Sequence, residues 1–246
     1  CEDCIADFVP MTGQLLHYSE PTLNGARFDS GVATGSAISI YYDPMIAKII
    51  VHGKTRTEAI QKMIQAVSEV ICFGLTTNQT FLLQVLTHPT FAKLGQYTTH
   101  FIADELPTPV RQRFAEVTVE AQTEIKCAAL VYDWYRRQQS RKHMKHVLAG
   151  FRNSPYSLEL MRLELGGQLT TLQYKSVPKD HSEQWKQFKN LSEETEQQFE
   201  VVVGQETLKV VLHVKSTKGL PRFGCTVGDT RRTWSVLAVG ETYYLH

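Results

Sequence analysis

Arg27 and Asp29 open the part of this sequence with the most obvious chemical potential. A guanidinium is permanently charged and offers a rigid fork of donors. Such a group suits a carboxylate-like anion, or an oxyanion that develops during a reaction. The other reading of Arg27 is a surface arginine paired with Asp29, which would be worth little. Downstream come Tyr41, Tyr42, Asp43, Pro44, Met45 and Lys48. The tyrosines read as core or site-wall residues. Asp43-Pro44 reads as a turn, and Lys48 as a packing residue that snorkels or pairs.

Other candidate constellations have plainer readings. Cys1 and Cys4 form a C-x-x-C with no second pair to complete a zinc site. With five scattered cysteines in the chain, reduced thiols are the expectation, and no metal site is expected. His143 and His146 have a spacing that permits metal ligation, yet they sit among Arg and Lys on a solvated basic face. Arg136, Arg137, Arg141, Lys142 and Lys145 could dock an acidic partner surface. Ser30-Gly31 lacks the G-x-S-x-G frame of a nucleophile elbow. Asn78-Gln79-Thr80 matches a glycosylation sequon, but it opens a helical pattern and reads as a cap.

These residues need elements to hold them. Short strands and glycine turns are expected over the first 50 residues, including Gln14 to Tyr18 and Ala37 to Tyr42. Met45 to His52 reads as a buried strand. Thr57 to Val70 switches to helical period, and Thr77 to Leu86 follows as a second helix ended by Pro89. Residues 105–118 form a seam in which Pro107 and Pro109 break regular structure. A long helix is expected over 119–149, apolar nearly all round in its middle and therefore enclosed. About eight strands follow between 156 and 246, one of them at 183–190, with turns at Gly166-Gly167, Gly204-Gln205 and Gly228-Asp229. The run Asn190 to Gln198 is acidic and reads as an exposed loop. Evenly spaced strands suggest a closed antiparallel barrel. The fold class is α+β, with domains at 1–106 and 107–246.

Composition excludes some classes. The 246 residues are 42% hydrophobic and 21% charged, with net charge +1. That balance argues against a dedicated nucleic-acid binder. No apolar run approaches a membrane span, and no targeting segment is visible in a chain that starts at Cys1.

Taken in register, Gly25, Arg27, Asp29, Tyr41, Tyr42, Asp43, Pro44, Met45, Lys48, Gly53, Arg56, Glu58 and Ala59 resemble the C-terminal subdomain of a biotin carboxylase. Glu2 and Asp3 resemble the middle of that family's A-E-D-P segment, with Cys1 and Cys4 replacing its ends. The helix and strands that follow look like the subunit-interaction domain of acyl-CoA carboxylase α subunits. Gly150-Phe151-Arg152-Asn153 resembles the entry to that barrel. This resemblance implies a ligase of the propionyl-CoA or 3-methylcrotonyl-CoA carboxylase type. Its reaction would be ATP-dependent carboxylation of biotin by bicarbonate, then transfer to a short-chain acyl-CoA.

The resemblance further implies that Arg27 faces bicarbonate and the ureido oxygen of biotin. Biotin itself would sit on another domain, and ATP and Mg mainly on residues outside this chain. No cofactor-binding residue is expected here. Implied partners are a carboxyltransferase β subunit and a biotin carboxyl carrier domain in a hetero-oligomer, with no nucleic acid and no membrane. The compartment would be the mitochondrial matrix in a eukaryote, otherwise the cytoplasm. The competing expectation is a non-catalytic assembly module in which Arg27 is idle.

Overall fold

The computed structural model describes residues 1–93, 95, 97–141, 158–177, 195–214 and 220–246, without the side chains of 113–115 and 195. The expected strand at 183–190, the entry at 150–153, and the helix tail with Lys142, His143, Lys145 and His146 lie outside the described residues. The chain divides into two units, Cys1–Val117 and Thr118–His246.

The first unit is built of short pieces. In chain order they are β1 (Glu2–Asp3), β2 (Val9–Pro10), β3 (Gly13–Gln14), β4 (His17–Ser19), β5 (Ala26–Ser30), β6 (Ala37–Ile38) and β7 (Ala47–Val51). Then come α1 (Arg56–Glu69), β8 (Ile71–Phe73), α2 (Gln79–Thr87), α3 (Pro89–Ala92), α4 (Phe101–Glu105) and α5 (Thr108–Ala115). The strands form four antiparallel pairs: β1 with β2, β3 with β6, β4 with β8, and β5 with β7. Phe81, Phe101 and Leu106 make a small aromatic core, joined by Phe8, Val85, Phe91 and Val110.

Three local expectations change. The run at Met45 to His52 is a half-buried strand rather than a buried one. Its ribbon packs one face on α1 and leaves Lys48 and Ile50 exposed. Pro109 does not break structure; it sits in the first turn of α5, where its missing N–H costs nothing. Val110 of that helix packs into the aromatic core, which ties α5 to the first unit. Asn78 occupies the cap position of α2 but makes no capping bond, and its Nδ2 donates to Glu2 Oε2 at 3.3 Å instead.

The second unit starts with α6 (Val119–Ser140), capped by Thr118, whose hydroxyl accepts from Ala121 N. Seven strands follow: β9 (Glu159–Leu165), β10 (Gln168–Val177), β11 (Thr195–Val203), β12 (Glu206–Val214), β13 (Arg222–Val227), β14 (Thr230–Val239) and β15 (Thr242–Leu245). They pair in sequence order, each antiparallel to the next, as a curled half-barrel. Residues 195–198 belong to β11, so that part of the expected acidic loop is strand. Residues Ile125 and Ala129 of α6, the β9–β10 hairpin and the β14–β15 turn bound a cleft of about 540 Å³.

The helix lies against the inner face of this sheet. Cys127, Ala128, Leu130, Val131, Tyr132 and Trp134 are buried against Leu172, Phe199, Val201, Val210, Leu212, Phe223 and Val236. Each large side chain fully buried here is worth roughly 1.5–3 kcal/mol. Tyr132 stacks on Phe223, and Trp134 meets Phe199 edge-on.

Polar groups pin the helix in place. Asp133 accepts from Arg136, from Arg137 at 2.8 Å and from the Tyr243 hydroxyl at 2.6 Å. Arg137 also donates to the Tyr174 hydroxyl, which donates to Glu159 Oε2 at 2.8 Å. Arg136 lies over the Tyr243 ring and donates to the Gly240 carbonyl. Arg136 and Arg137 therefore pair within the unit while their side chains stay 42% and 41% exposed, so neither is simply a solvated charge.

Burial pushes the Tyr174 hydroxyl up to about 12, and the Tyr243 hydroxyl also rises, first by burial and then by its bond to Asp133. Both phenols stay neutral in the folded state above pH 10, where unfolded tyrosines ionise. This contribution is complete below pH 10 and is lost as pH rises through the folded values. Chemical denaturation of the second unit should therefore show falling stability from pH 10 toward 12. Tyr174→Phe should flatten that alkaline limb while costing about 1–2 kcal/mol at neutral pH through the Glu159 and Arg137 bonds it removes.

Candidate functional site

The signature residues occupy two places in the first unit, and they do different work there. One group shapes the turn between β7 and α1. A Cβ on Gly53 would lie 2.5 Å from Ala59 N and 3.0 Å from the Thr55 carbonyl, so only glycine allows the helix start to approach the strand. Thr55 caps α1 by accepting from Glu58 N at 3.2 Å, and Glu58 reaches back to Lys54 N at 2.8 Å, close to a capping box. Glu58 also pairs with Lys62 at 2.9 Å, one turn on. These bonds, the Lys62 side chain first, hold the Glu58 carboxyl below its usual range. Arg56 donates to the Phe91 carbonyl at 2.7 Å and lies over the Phe91 and Tyr97 rings.

The other group lies on the β5–β7 ribbon. The register pairs Arg27 with Ile50 and Asp29 with Lys48. Facing residues of an antiparallel pair share a side, and alternate residues repeat it. Arg27, Asp29, Lys48 and Ile50 therefore share one face, and all are exposed. Arg27 Nη2 sits 3.1 Å from Asp29 Oδ2, and its side chain is 69% exposed. The opposite face carries Ala47 and Ile49 into a small cleft of about 90 Å³, lined also by Tyr18, Val67, Cys72 and Leu82. Arg27 faces away from that cleft.

The loop before β7 is also outward-facing. Asp43 Oδ1 accepts from Met45 N at 3.1 Å, which makes the expected turn. Ile40 is 77% exposed and Tyr41 and Tyr42 are each 84% exposed, with Met45 half exposed. Of the two readings of the tyrosines, core or site wall, this exposure removes the core one. They form an aromatic knob that no described residue covers.

The sequence reading picked out Arg27 but treated Lys48 as packing. The structure puts both cations on one side of one ribbon, flanking Asp29. Period-two counting across both strands could have found this. The Asp133, Arg137, Glu159 and Tyr174 network was missed as well, although Asp133 and Arg137 stand four apart on one helix. Cys127 and Cys225 are buried, and burial pushes both thiols up to about 12, so neither is a nucleophile. Among the described residues, no group of three His, Cys, Asp or Glu side chains could hold a metal ion. None of the described helices is long and apolar enough to cross a membrane.

Sequence comparison decides what this scaffold is, because residues 1–104 match the family "Biotin carboxylase C-terminal domain". The first unit carries a biotin carboxylase C-terminal domain. Over 100 residues the chain is 44% identical to the mitochondrial propionyl-CoA carboxylase alpha chain of Homo sapiens, covering 40% of this chain and 14% of that protein. It is 42% identical over 95 residues to the mitochondrial methylcrotonoyl-CoA carboxylase subunit alpha of Glycine max, covering 39% of this chain and 13% of that one. Among solved structures, a Rhizobium etli pyruvate carboxylase aligns at 33% identity and a TM-score of 0.43, covering 53% of this chain and 13% of that one. The chain thus spans about one seventh of the length of these curated relatives.

Within this biotin carboxylase C-terminal domain, the Gly53, Arg56, Glu58 and Ala59 part of the signature is scaffold. Gly53→Ala should cost the first unit about 1–3 kcal/mol by forcing α1 off the strand, read as a lower denaturation midpoint. Glu58→Gln should cost much less, since an amide oxygen can still accept from Lys54 N.

Proposed function

We propose that this chain is part of the α subunit of a biotin-dependent acyl-CoA carboxylase. The observation that carries the reading is the family match over residues 1–104, followed by a helix-and-sheet unit with no equivalent in the matched span. The reaction would be ATP-dependent carboxylation of biotin by bicarbonate, then carboxyl transfer to a short-chain acyl-CoA such as propionyl-CoA or 3-methylcrotonyl-CoA. Among the described residues no group of three His, Cys, Asp or Glu side chains could hold a metal ion, and on this reading ATP and Mg are held mainly by residues outside this chain. On this reading biotin arrives on a carrier domain, and the second unit contacts a carboxyltransferase β subunit. In a eukaryote the enzyme would work in the mitochondrial matrix, a reading supported by relatives whose names call them mitochondrial.

Arg27 is the one residue of this chain assigned to the chemistry. Its guanidinium would donate to bicarbonate, or to the ureido oxygen of biotin as negative charge develops there. Removing one such donor typically costs about 10²–10³ in kcat.

The geometry favours a second reading of the same residue. Arg27, Asp29, Lys48 and Ile50 form an open, charged face, and the same unit leaves Ile40, Tyr41 and Tyr42 exposed. An exposed arginine beside large apolar side chains suits a docking contact with another polypeptide surface.

Arg27→Ala in the full-length subunit separates the two. The catalytic role predicts loss of biotin-dependent ATP cleavage in a correctly assembled enzyme. The docking role predicts weaker assembly on size-exclusion chromatography, with near-normal activity per assembled complex. Unchanged activity and assembly would overturn both. ATP cleavage by the 246-residue chain alone would overturn the claim that the nucleotide is held elsewhere.

A further inference from the structure

The outer face of the second unit's sheet carries a hydrogen-bonded chain of carboxylate, imidazole and hydroxyl. Val210, Leu212, Phe223 and Cys225 point into the core, so alternation turns His213, Gly224 and Thr226 outward. Glu196 faces His213 across β11 and β12, His213 faces Gly224 across β12 and β13, and Thr226 faces Arg231 across β13 and β14. Glu196 Oε1 lies 2.9 Å from His213 Nδ1, and His213 Nε2 lies 3.0 Å from Thr226 Oγ1.

The order of these groups fixes the protons of the neutral ring. An ionised carboxylate only accepts, so Nδ1 carries the hydrogen and Nε2 is left as a base. The Thr226 hydroxyl then donates to Nε2. Nucleophile, base and orienting carboxylate stand in the relation that activates a hydroxyl. The His213 side chain is only 14% exposed, whereas that of Glu196 is 49% exposed. Gly224 makes room for a fourth group. A Cβ there would lie 3.2 Å from His213 Cβ and 3.6 Å from Arg231 Nε, so the absent side chain lets guanidinium and imidazole lie side by side. Arg231 faces Thr226 across β13 and β14, so its guanidinium can donate to an oxyanion formed at Thr226.

We propose that Thr226 is an acyl-acceptor hydroxyl that takes short acyl groups from acyl thioesters. Thr226 Oγ bonds to the acyl carbon as its proton passes to His213 Nε2. The carbon–sulfur bond then breaks, and the departing thiolate takes the proton from Nε2 and leaves as a thiol. The product is a threonine ester, formed without ATP or biotin, so the activity stands or falls apart from the carboxylase reading. Glu196 is a positioning residue that fixes the imidazole tautomer.

The test incubates the 246-residue chain with S-acetyl-N-acetylcysteamine and maps acetylation by peptide mass spectrometry. Thr207 and Thr233 are exposed on the same outer face and serve as internal controls. Thr226 should be acetylated at least about 10²-fold faster than either, the usual effect of a positioned base. His213→Gln should bring it to the control rate, Thr226→Ser should keep it, and Thr226→Val should abolish it. Glu196→Gln should slow it and shift the ¹⁵N signals of the His213 ring toward mixed tautomers. Equal labelling of the three threonines in the unsubstituted chain would overturn the proposal, even if a variant failed to fold. Labelling that is indifferent to His213→Gln in a folded variant would overturn it too.

Discussion

Everything in the second unit depends on enclosing one helix. From Cys127 to Trp134, α6 is apolar around most of its circumference. Such a helix is stable in water only if other structure surrounds it. The sheet meets this need with inward residues from successive strands, and the Asp133 network fixes how the helix sits within it. Hydrophobic contact alone is non-directional. The bonds from Arg137 to Tyr174 and from Tyr243 to Asp133 supply the direction. Apolar burial holds the helix, and the polar cluster sets its rotation and depth.

The first unit works by a different economy. Its described strands form only two-stranded pairs, two to five residues long. Short pairs are marginal alone. They persist because the turns around them are over-determined: Gly53 against Ala59, the Thr55 cap, the Glu58 reach-back and the Arg56 tie to Phe91. Gly74 adds another constraint, since it holds a positive φ where a Cβ would meet the Gln14 carbonyl at 2.5 Å. Part of a signature that looks catalytic in one dimension is thus a set of joints. What remains free is the face with Arg27 and Lys48 and the tyrosine knob.

Period and punctuation carried the sequence reading a long way. The apolar face of α1, the enclosed middle of α6 and the glycine hairpins of the sheet were legible because helical and strand periods differ. Pro109 misled because proline breaks a helix interior but suits its first turn. Whether Tyr41 and Tyr42 were core or site wall stayed open in the sequence because aromatic character says nothing about which side of a turn faces water. Arg136 and Arg137 read as a charged patch because their partners, Glu159, Tyr174 and Tyr243, lie 22 to 107 positions away. The family match fixes the ancestry of residues 1–104, yet register rather than ancestry showed that Lys48 stands beside Asp29.

The meander of the second unit has a property that follows from counting. Six antiparallel steps separate β9 from β15, so the first and last strands run in the same direction. A ring made only of antiparallel pairs needs an even number of members. Among the described strands, the two ends therefore cannot join each other in the pattern used everywhere else in the sheet. The cleft of the second unit, lined by Ile125 and Ala129 of the helix, runs between residues of these two end strands. Among the described strands, each end strand is held by one neighbour, whereas β11, β12 and β13 around Phe199, Leu212 and Phe223 are each held by two.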